Sequence, residues 1–262
     1  MNTFAAILLG IIQGLTEFLP VSSSGHLVIF QKFLGIESPG MSMEIFLHFG
    51  TLLSIFWVFR KDFIALFSFY RDQTQRRFLM LLIIGVIPTG LIGLVFKSWV
   101  EEAFQSTIIV GFALLVTGGI LFLISRLPPG ENDVSRMRVG DALWIGTLQG
   151  IAVIPGISRS GSTIAGALWR GLDRETAVRY SFMLAAPVIL GATILETKDL
   201  IVCGIEKAML SHYLVGGLFA FGFGIIAIKL FINLLQNKKF YYFSYYCWIV
   251  GGITILLSLL FP

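Results

Sequence analysis

Apolar residues along this chain fall in long uninterrupted runs, without the alternation of a half-buried strand. Phe78–Phe96, Thr107–Ser125 and Phe240–Phe261 contain no charged residue, and each approaches or exceeds the ~18–20 residues a helix needs to cross a bilayer. Ile45–Phe59, Tyr180–Leu195 and Tyr213–Ile228 are shorter and reach that length through flanking polar residues, so the pattern predicts six spans. Two other apolar stretches are broken in the middle. Met1–Leu19 runs into Pro20-Val-Ser-Ser-Ser-Gly25-His26 and resumes to Leu34, and Ala142–Ile154 runs into Pro155-Gly-Ile-Ser-Arg-Ser-Gly161-Ser-Thr163 and resumes to Trp169. Polar, helix-breaking sequence at membrane depth is tolerated where protein or a polar cavity surrounds it. Each stretch is therefore expected to be a re-entrant helix–loop–helix hairpin; the alternative is four short spans with polar turns at the surface.

The two breaks also resemble each other. Gly10-x-x-Gln13-Gly14 recurs as Gly146-x-x-Gln149-Gly150 and Gly25 as Gly161, all at an offset of 136, which also places Ser22 on Ser158 and Ser24 on Ser160. An internal duplication is expected, with halves near 1–138 and 139–262. Each half would hold one hairpin and three spans, and an odd number of spans inserts the second copy upside down. The predicted fold is thus an all-α polytopic membrane protein with an inverted-topology repeat.

Composition supports a lipid environment. Hydrophobic residues make up 56% and charged residues 13%, with a mean hydropathy of +0.87, against about 25% charged in soluble domains. The net charge of +4 sits in short connections, which excludes a nucleic-acid-binding stripe. Arg60–Arg77 holds five basic residues, Arg126–Arg138 three, and Lys238-Lys239 opens the last span, so these connections are expected on the cytoplasmic side, with both termini outside. The connections at Glu101-Glu102 and Lys198–Lys207 are mixed or acidic. No basic residue precedes Lys32, as a signal peptide would require. Cys203 is read in a loop and Cys247 at the start of the last span, so no disulfide is expected.

Ionisable groups inside a membrane mark function by default. Glu17 closes the first half-helix, with Gln13 one turn earlier on the same face. His26 follows the first break, and Arg159 lies within the second, between Ser158 and Ser160. Arginine offers paired donors to phosphate, and glycine at Gly161 lets backbone amides approach an anion at a helix start near Ser160. Hydroxyls at Ser22, Ser23, Ser24, Ser158, Ser160, Ser162 and Thr163 add neutral donors. Glu17 would hold a divalent cation or move a proton, and His26 or a first-break serine would attack phosphorus or activate water. The plainer reading is a Glu–Arg pair that only neutralises itself. Glu44 and His48, one turn apart, are a polar rim or a supporting layer.

The segments Gln13-Gly-Leu-Thr-Glu17-Phe-Leu-Pro-Val-Ser-Ser-Ser-Gly25-His26 and Pro155–Thr163 closely resemble the two signature regions of the bacterial undecaprenyl-pyrophosphate phosphatases, the bacitracin-resistance family. The resemblance covers the whole chain. It implies a multi-pass enzyme of the bacterial cytoplasmic membrane that hydrolyses undecaprenyl pyrophosphate to undecaprenyl phosphate, the carrier for cell-wall precursors, with Mg²⁺ or Ca²⁺ assisting. It also implies an active site open to the outer, periplasmic side, a lateral opening for the prenyl tail, and a homodimer as a candidate assembly. Glu17 matches the family's essential second acid, Ser23 its serine, His26 its histidine and Arg159 its phosphate-holding arginine; Ser22, Ser24, Gly25, Ser158, Ser160, Gly161, Ser162 and Thr163 surround the phosphate. Gln13 stands where many members carry Glu, which removes one metal ligand and leaves Glu17 alone. The nucleophile stays open between Ser23, His26 and water. The alternative function is a polyprenyl-phosphate transporter.

Overall fold

The computed structural model describes residues 2–33, 35, 40–128, 130–203, 209–236 and 240–261, and is helical apart from one isolated bridge between Asn132 and Leu172. The first hairpin is α1 (Thr3–Phe18) and α2 (Ser23–Phe33). It is followed by α3 (Gly40–Val58), α4 (Arg60–Leu66), α5 (Gln73–Val95), α6 (Lys97–Ala103) and α7 (Thr107–Ser125). The second hairpin is α8 (Val139–Ile151) and α9 (Arg159–Trp169), followed by α10 (Arg174–Cys203), α11 (Leu210–Gln236) and α12 (Tyr241–Leu260).

Five of these helices, α5, α7, α10, α11 and α12, are long and apolar enough to cross a membrane, and a sixth span arises if Met43–Val58 is counted with α4, to which it is bent by 76°. These are the six spans the apolar runs predict. Their outward faces are hydrophobic: Met80, Ile83, Ile87, Leu91 and Leu94 form an exposed stripe along α5. Such a surface suits lipid and not water. Cys203 ends α10 and does not lie in a loop; its side chain, with Lys238, Lys239, Leu34 and the 204–208 connection, lies outside the described residues. α8 begins at Val139, three residues earlier than the apolar run suggested, and so includes Asp141.

Helix directions follow from neighbouring residues. Gly10 and Gly14 of α1 face Gly216 and Ala220 of α11, and Gly146 and Gly150 of α8 face Gly85 and Ile92 of α5, so both pairs run parallel. Arg77, in the first turn of α5, donates to the Met137 carbonyl just before α8 (2.8 Å), and Arg179 near the start of α10 pairs with Asp62 of α4 (2.6 Å). Arg60–Arg77, Arg126–Arg138 and the mouth of the second hairpin therefore share one end of the molecule. The first hairpin enters from the other end, because α11 starts opposite the start of α10. Small residues let these backbones approach closely where no water drives helices together. A methyl group at Gly146 would run into the Gly85 carbonyl, and backbone cannot rotate aside. Gly146→Val is thus expected to prevent extraction of a monodisperse protein, whereas Gly252→Val, facing open space, should leave the size-exclusion profile unchanged.

Candidate active site

The hairpins meet tip to tip. α1 ends where Leu19, the residue before Pro20, is forced into extended backbone (φ −70°, ψ 144°). Ser22 then takes a left-handed conformation (φ 69°), a strain of about 1–3 kcal/mol for a residue with a side chain. That turn aims the Ser22 carbonyl at the His26 ring and backbone N–H, and its hydroxyl accepts from Gly25 N (3.3 Å) and from Gly156 N of the other hairpin (3.1 Å). Gly156 itself has φ 99°, where a Cβ would press on Val110 and Ala113. Thr117 of α7 braces this second tip, donating to the Gly156 carbonyl (2.8 Å) and accepting from Ser158 N (3.1 Å). The tips are buried, as re-entrant hairpins require, and do not form surface turns.

Glu17 is the centre of the junction. One carboxylate oxygen accepts from Arg159 Nη2 (2.5 Å); the other accepts from the Ser23 hydroxyl (2.5 Å) and Gln13 Nε2 (3.0 Å). The two charged side chains are 7% and 16% exposed, so the pair is shielded from water. Phe18 holds the end of α1 in place by packing edge-on against Phe182 of α10 (5.6 Å). His48 of α3 lies within electrostatic range of Glu17. Two buried polar atoms of this cluster have no partner among the described residues, Arg159 Nη1 and Gln13 Oε1. Buried polar atoms are nearly always paired, so a free donor and a free acceptor beside one ion pair mark a place for a ligand.

The other predicted residues divide into two groups. His26 is held at both nitrogens, Nδ1 on the Ser22 carbonyl (2.8 Å) and Nε2 on the Tyr246 hydroxyl (2.7 Å), and not by Ser23. Ser22 and Ser158 each lie 3.3 Å from Ser24 and Ser160, and each caps a following helix at Gly25 N or Gly161 N. These two amides are thereby already satisfied by protein. Ser160 reaches across to the Leu19 carbonyl (3.3 Å), and Thr163 bonds Ser181 of α10 (2.5 Å). Glu44 accepts from Gln31 of α2 (3.4 Å), and among the described residues its side chain has no hydrogen bond to the tips. Sequence reasoning missed Tyr246 and Thr117. Neither lies near a motif, and only the packing of α7 and α12 brings them in.

Among the described residues no three His, Cys, Asp or Glu side chains converge on a metal-sized site. The oxygens there of the type Mg²⁺ and Ca²⁺ take are the Glu17 carboxylate, already engaged by Arg159, Ser23 and Gln13, and the unpaired Gln13 Oε1.

The family described as bacitracin resistance protein BacA matches residues 6–253. A protein named undecaprenyl-diphosphatase from Halothermothrix orenii is 45% identical over 261 residues, covering all of both chains. Another of that name from Alkaliphilus metalliredigens is 46% identical over 275 residues, covering 99% of this chain and all of its own. One from Methanosphaera stadtmanae is 41% identical over 98% of this chain and 99% of its own. From residue 6 to residue 253 the match takes in both hairpins and the Glu17–Arg159 junction, and the chain belongs to the bacitracin resistance protein BacA family.

Proposed function

We propose that this chain hydrolyses undecaprenyl diphosphate to undecaprenyl phosphate and inorganic phosphate, at the junction of the two hairpin tips. The relatives' shared name and full-length match support the reaction. The observation that supports the site is the unpaired Arg159 Nη1 beside a carboxylate that holds a serine hydroxyl. A transporter reading is not favoured, since the relatives carry the diphosphatase name.

The terminal phosphate takes the free Arg159 donor and competes with Glu17 for the other, which leaves Glu17 freer to act as a base. Ser23 already donates to Glu17, the geometry of a nucleophile paired with its base. The Ser23 oxygen attacks the terminal phosphorus, its proton passes to Glu17, and the bond to the bridging oxygen breaks. Undecaprenyl phosphate leaves with the proton from Glu17. Water then attacks the phosphoserine while Glu17 accepts one of its protons. The serine oxygen recovers that proton as phosphate departs. A divalent cation held by Glu17 and Gln13 would withdraw charge from the diphosphate. His26, committed to Ser22 and Tyr246, acts as a positioning residue for the strained tip.

The test is rapid acid quenching with substrate labelled in its terminal phosphate. Label is expected on Ser23 and is expected to vanish in Ser23→Ala together with turnover. Turnover within ~10-fold of wild type in Ser23→Ala would assign the attack to water and overturn the serine step.

We also propose that 1–138 and 139–262 are inverted copies. Supporting this, Ser22-Ser24-Gly25 and Ser158-Ser160-Gly161 make the same set of bonds, and α1 lies on α11 as α8 lies on α5. The basic end is assigned to the cytoplasm, so the first hairpin opens to the periplasm. With native cysteines replaced, an impermeant thiol reagent on intact cells should label Gln105→Cys and spare Arg71→Cys; the reverse pattern refutes the orientation.

A further inference from the structure

At the mouth of the second hairpin, a cavity of about 520 Å³ is lined by Asn132, Arg136, Arg138, Asp141, Trp169 and Arg170. It lies at the far end of α9 from Arg159, ten residues or ~15 Å away, so it is separate from the junction described above. Its charge is unbalanced. The single carboxylate, Asp141, is fully used: one oxygen accepts from Arg170 Nε (2.6 Å), the other from Arg138 N (2.8 Å). The Arg138 guanidinium forms no ion pair with Asp141, which pairs with Arg170. Beside Arg136 lies Asp133, whose carboxyl is held below its usual range by a hydrogen bond from the Ser135 hydroxyl, and which also accepts from the Ser135 and Arg136 backbone N–H groups.

The loop that carries these arginines is held in place. Asn132 N donates to the Gly171 carbonyl (3.1 Å), Asp173 N to the Asn132 carbonyl (2.9 Å), and Arg77 to the Met137 carbonyl (2.8 Å). The cavity also has a defined depth. Trp169 is 68% exposed and meets the ring of Trp144, itself 40% exposed, edge-to-face at 6.5 Å. Exposed tryptophans with basic residues just beyond them are the signature of the membrane–water interface. A guanidinium cluster at that level suits a phosphate whose attached chains lie in the bilayer beside the indoles.

We propose that this cavity binds the phosphate of an anionic phospholipid headgroup, with Arg136, Arg138 and Arg170 as its donors and Trp169 against the acyl chains. The proposal needs only the interfacial position, not its sidedness and not the reaction assigned above. Arg136→Gln/Arg138→Gln is the informative variant, because neither guanidinium holds the fold together, and its phosphate release in lipid-free micelles should equal wild type. The full-length protein is titrated in micelles with phosphatidylglycerol or phosphatidylcholine carrying brominated chains, and tryptophan fluorescence is read. Brominated phosphatidylglycerol is expected to quench at a mole fraction about tenfold below brominated phosphatidylcholine. That preference should disappear in the double variant, and the quenched component should be absent in Trp169→Phe. Equal quenching by the two lipids in the wild type, or an unchanged preference in the double variant, overturns the site. Binding of millimolar inorganic phosphate by the wild type and not by the double variant, with no preference between the two lipids, would assign the cavity to a free anion and overturn the lipid.

Discussion

Arg159→Lys is expected to lower phosphate release at least ~100-fold, comparable to the loss of one pre-organised transition-state donor. Charge is retained, so the change isolates geometry. The guanidinium has one nitrogen on Glu17 and a second, buried and unpaired, available to phosphate. A lysine ammonium is a single point and cannot reach both partners from the same backbone position. Because an ammonium can still neutralise Glu17, the protein should remain folded, and the loss should appear in kcat more than in KM. Near-wild-type phosphate release by a folded Arg159→Lys protein would refute the phosphate-holding role.

Glu17→Gln should abolish turnover, and the structure adds a second consequence. A nearly isosteric amide preserves shape but leaves Arg159 as a buried charge without its counter-ion. Removing one partner of such a pair typically costs about 3–5 kcal/mol, so the variant is expected to melt at a lower temperature than wild type. A non-hydrolysable diphosphate lipid supplies negative charge where the carboxylate was lost. It should therefore raise the melting temperature of Glu17→Gln more than that of the wild type, while phosphate release stays at background across Mg²⁺ and Ca²⁺ concentrations. Unimpaired hydrolysis would remove Glu17 from the mechanism, and an unstable variant that no ligand restores would reduce the pair to a structural one.

The parts of this molecule governed by local physics were legible in its sequence. Lipid-length apolar runs marked the spans, and proline with serine and glycine in mid-run marked the hairpin tips. Gln13 and Glu17, one helical turn apart, do meet by hydrogen bond. Arg159 does meet Glu17 across 142 residues of chain. Residues with two physically sound uses were not separable. Serine before a helix is both a good cap and a good phosphate donor, and Ser22 and Ser158 serve as caps. Thr163 had the spacing of a phosphate ligand, and the structure adds contacts of its hydroxyl with Ser181 and the Arg159 carbonyl that the sequence did not announce. Tyr246 and Thr117 left no trace in sequence, because only the packing of distant spans brings them to the tips. The left-handed Ser22 was equally hidden, since a tertiary contact with Gly156 accompanies it.

The ion pair joining the two tips also constrains how the protein is made. Glu17 and its counter-ion are separated by 142 residues. At about 5–20 residues per second, a ribosome delivers Arg159 roughly 7–28 s after Glu17. The groove on α11 that receives α1 is synthesised later still, from residue 210 onward. Through that interval the Glu17 carboxylate has the hydrogen bonds of Gln13 and Ser23 from its own hairpin but no counter-ion. The first hairpin is therefore expected either to carry Glu17 protonated or to wait at the membrane surface, and to take its final place only after α9 and α11 have followed it.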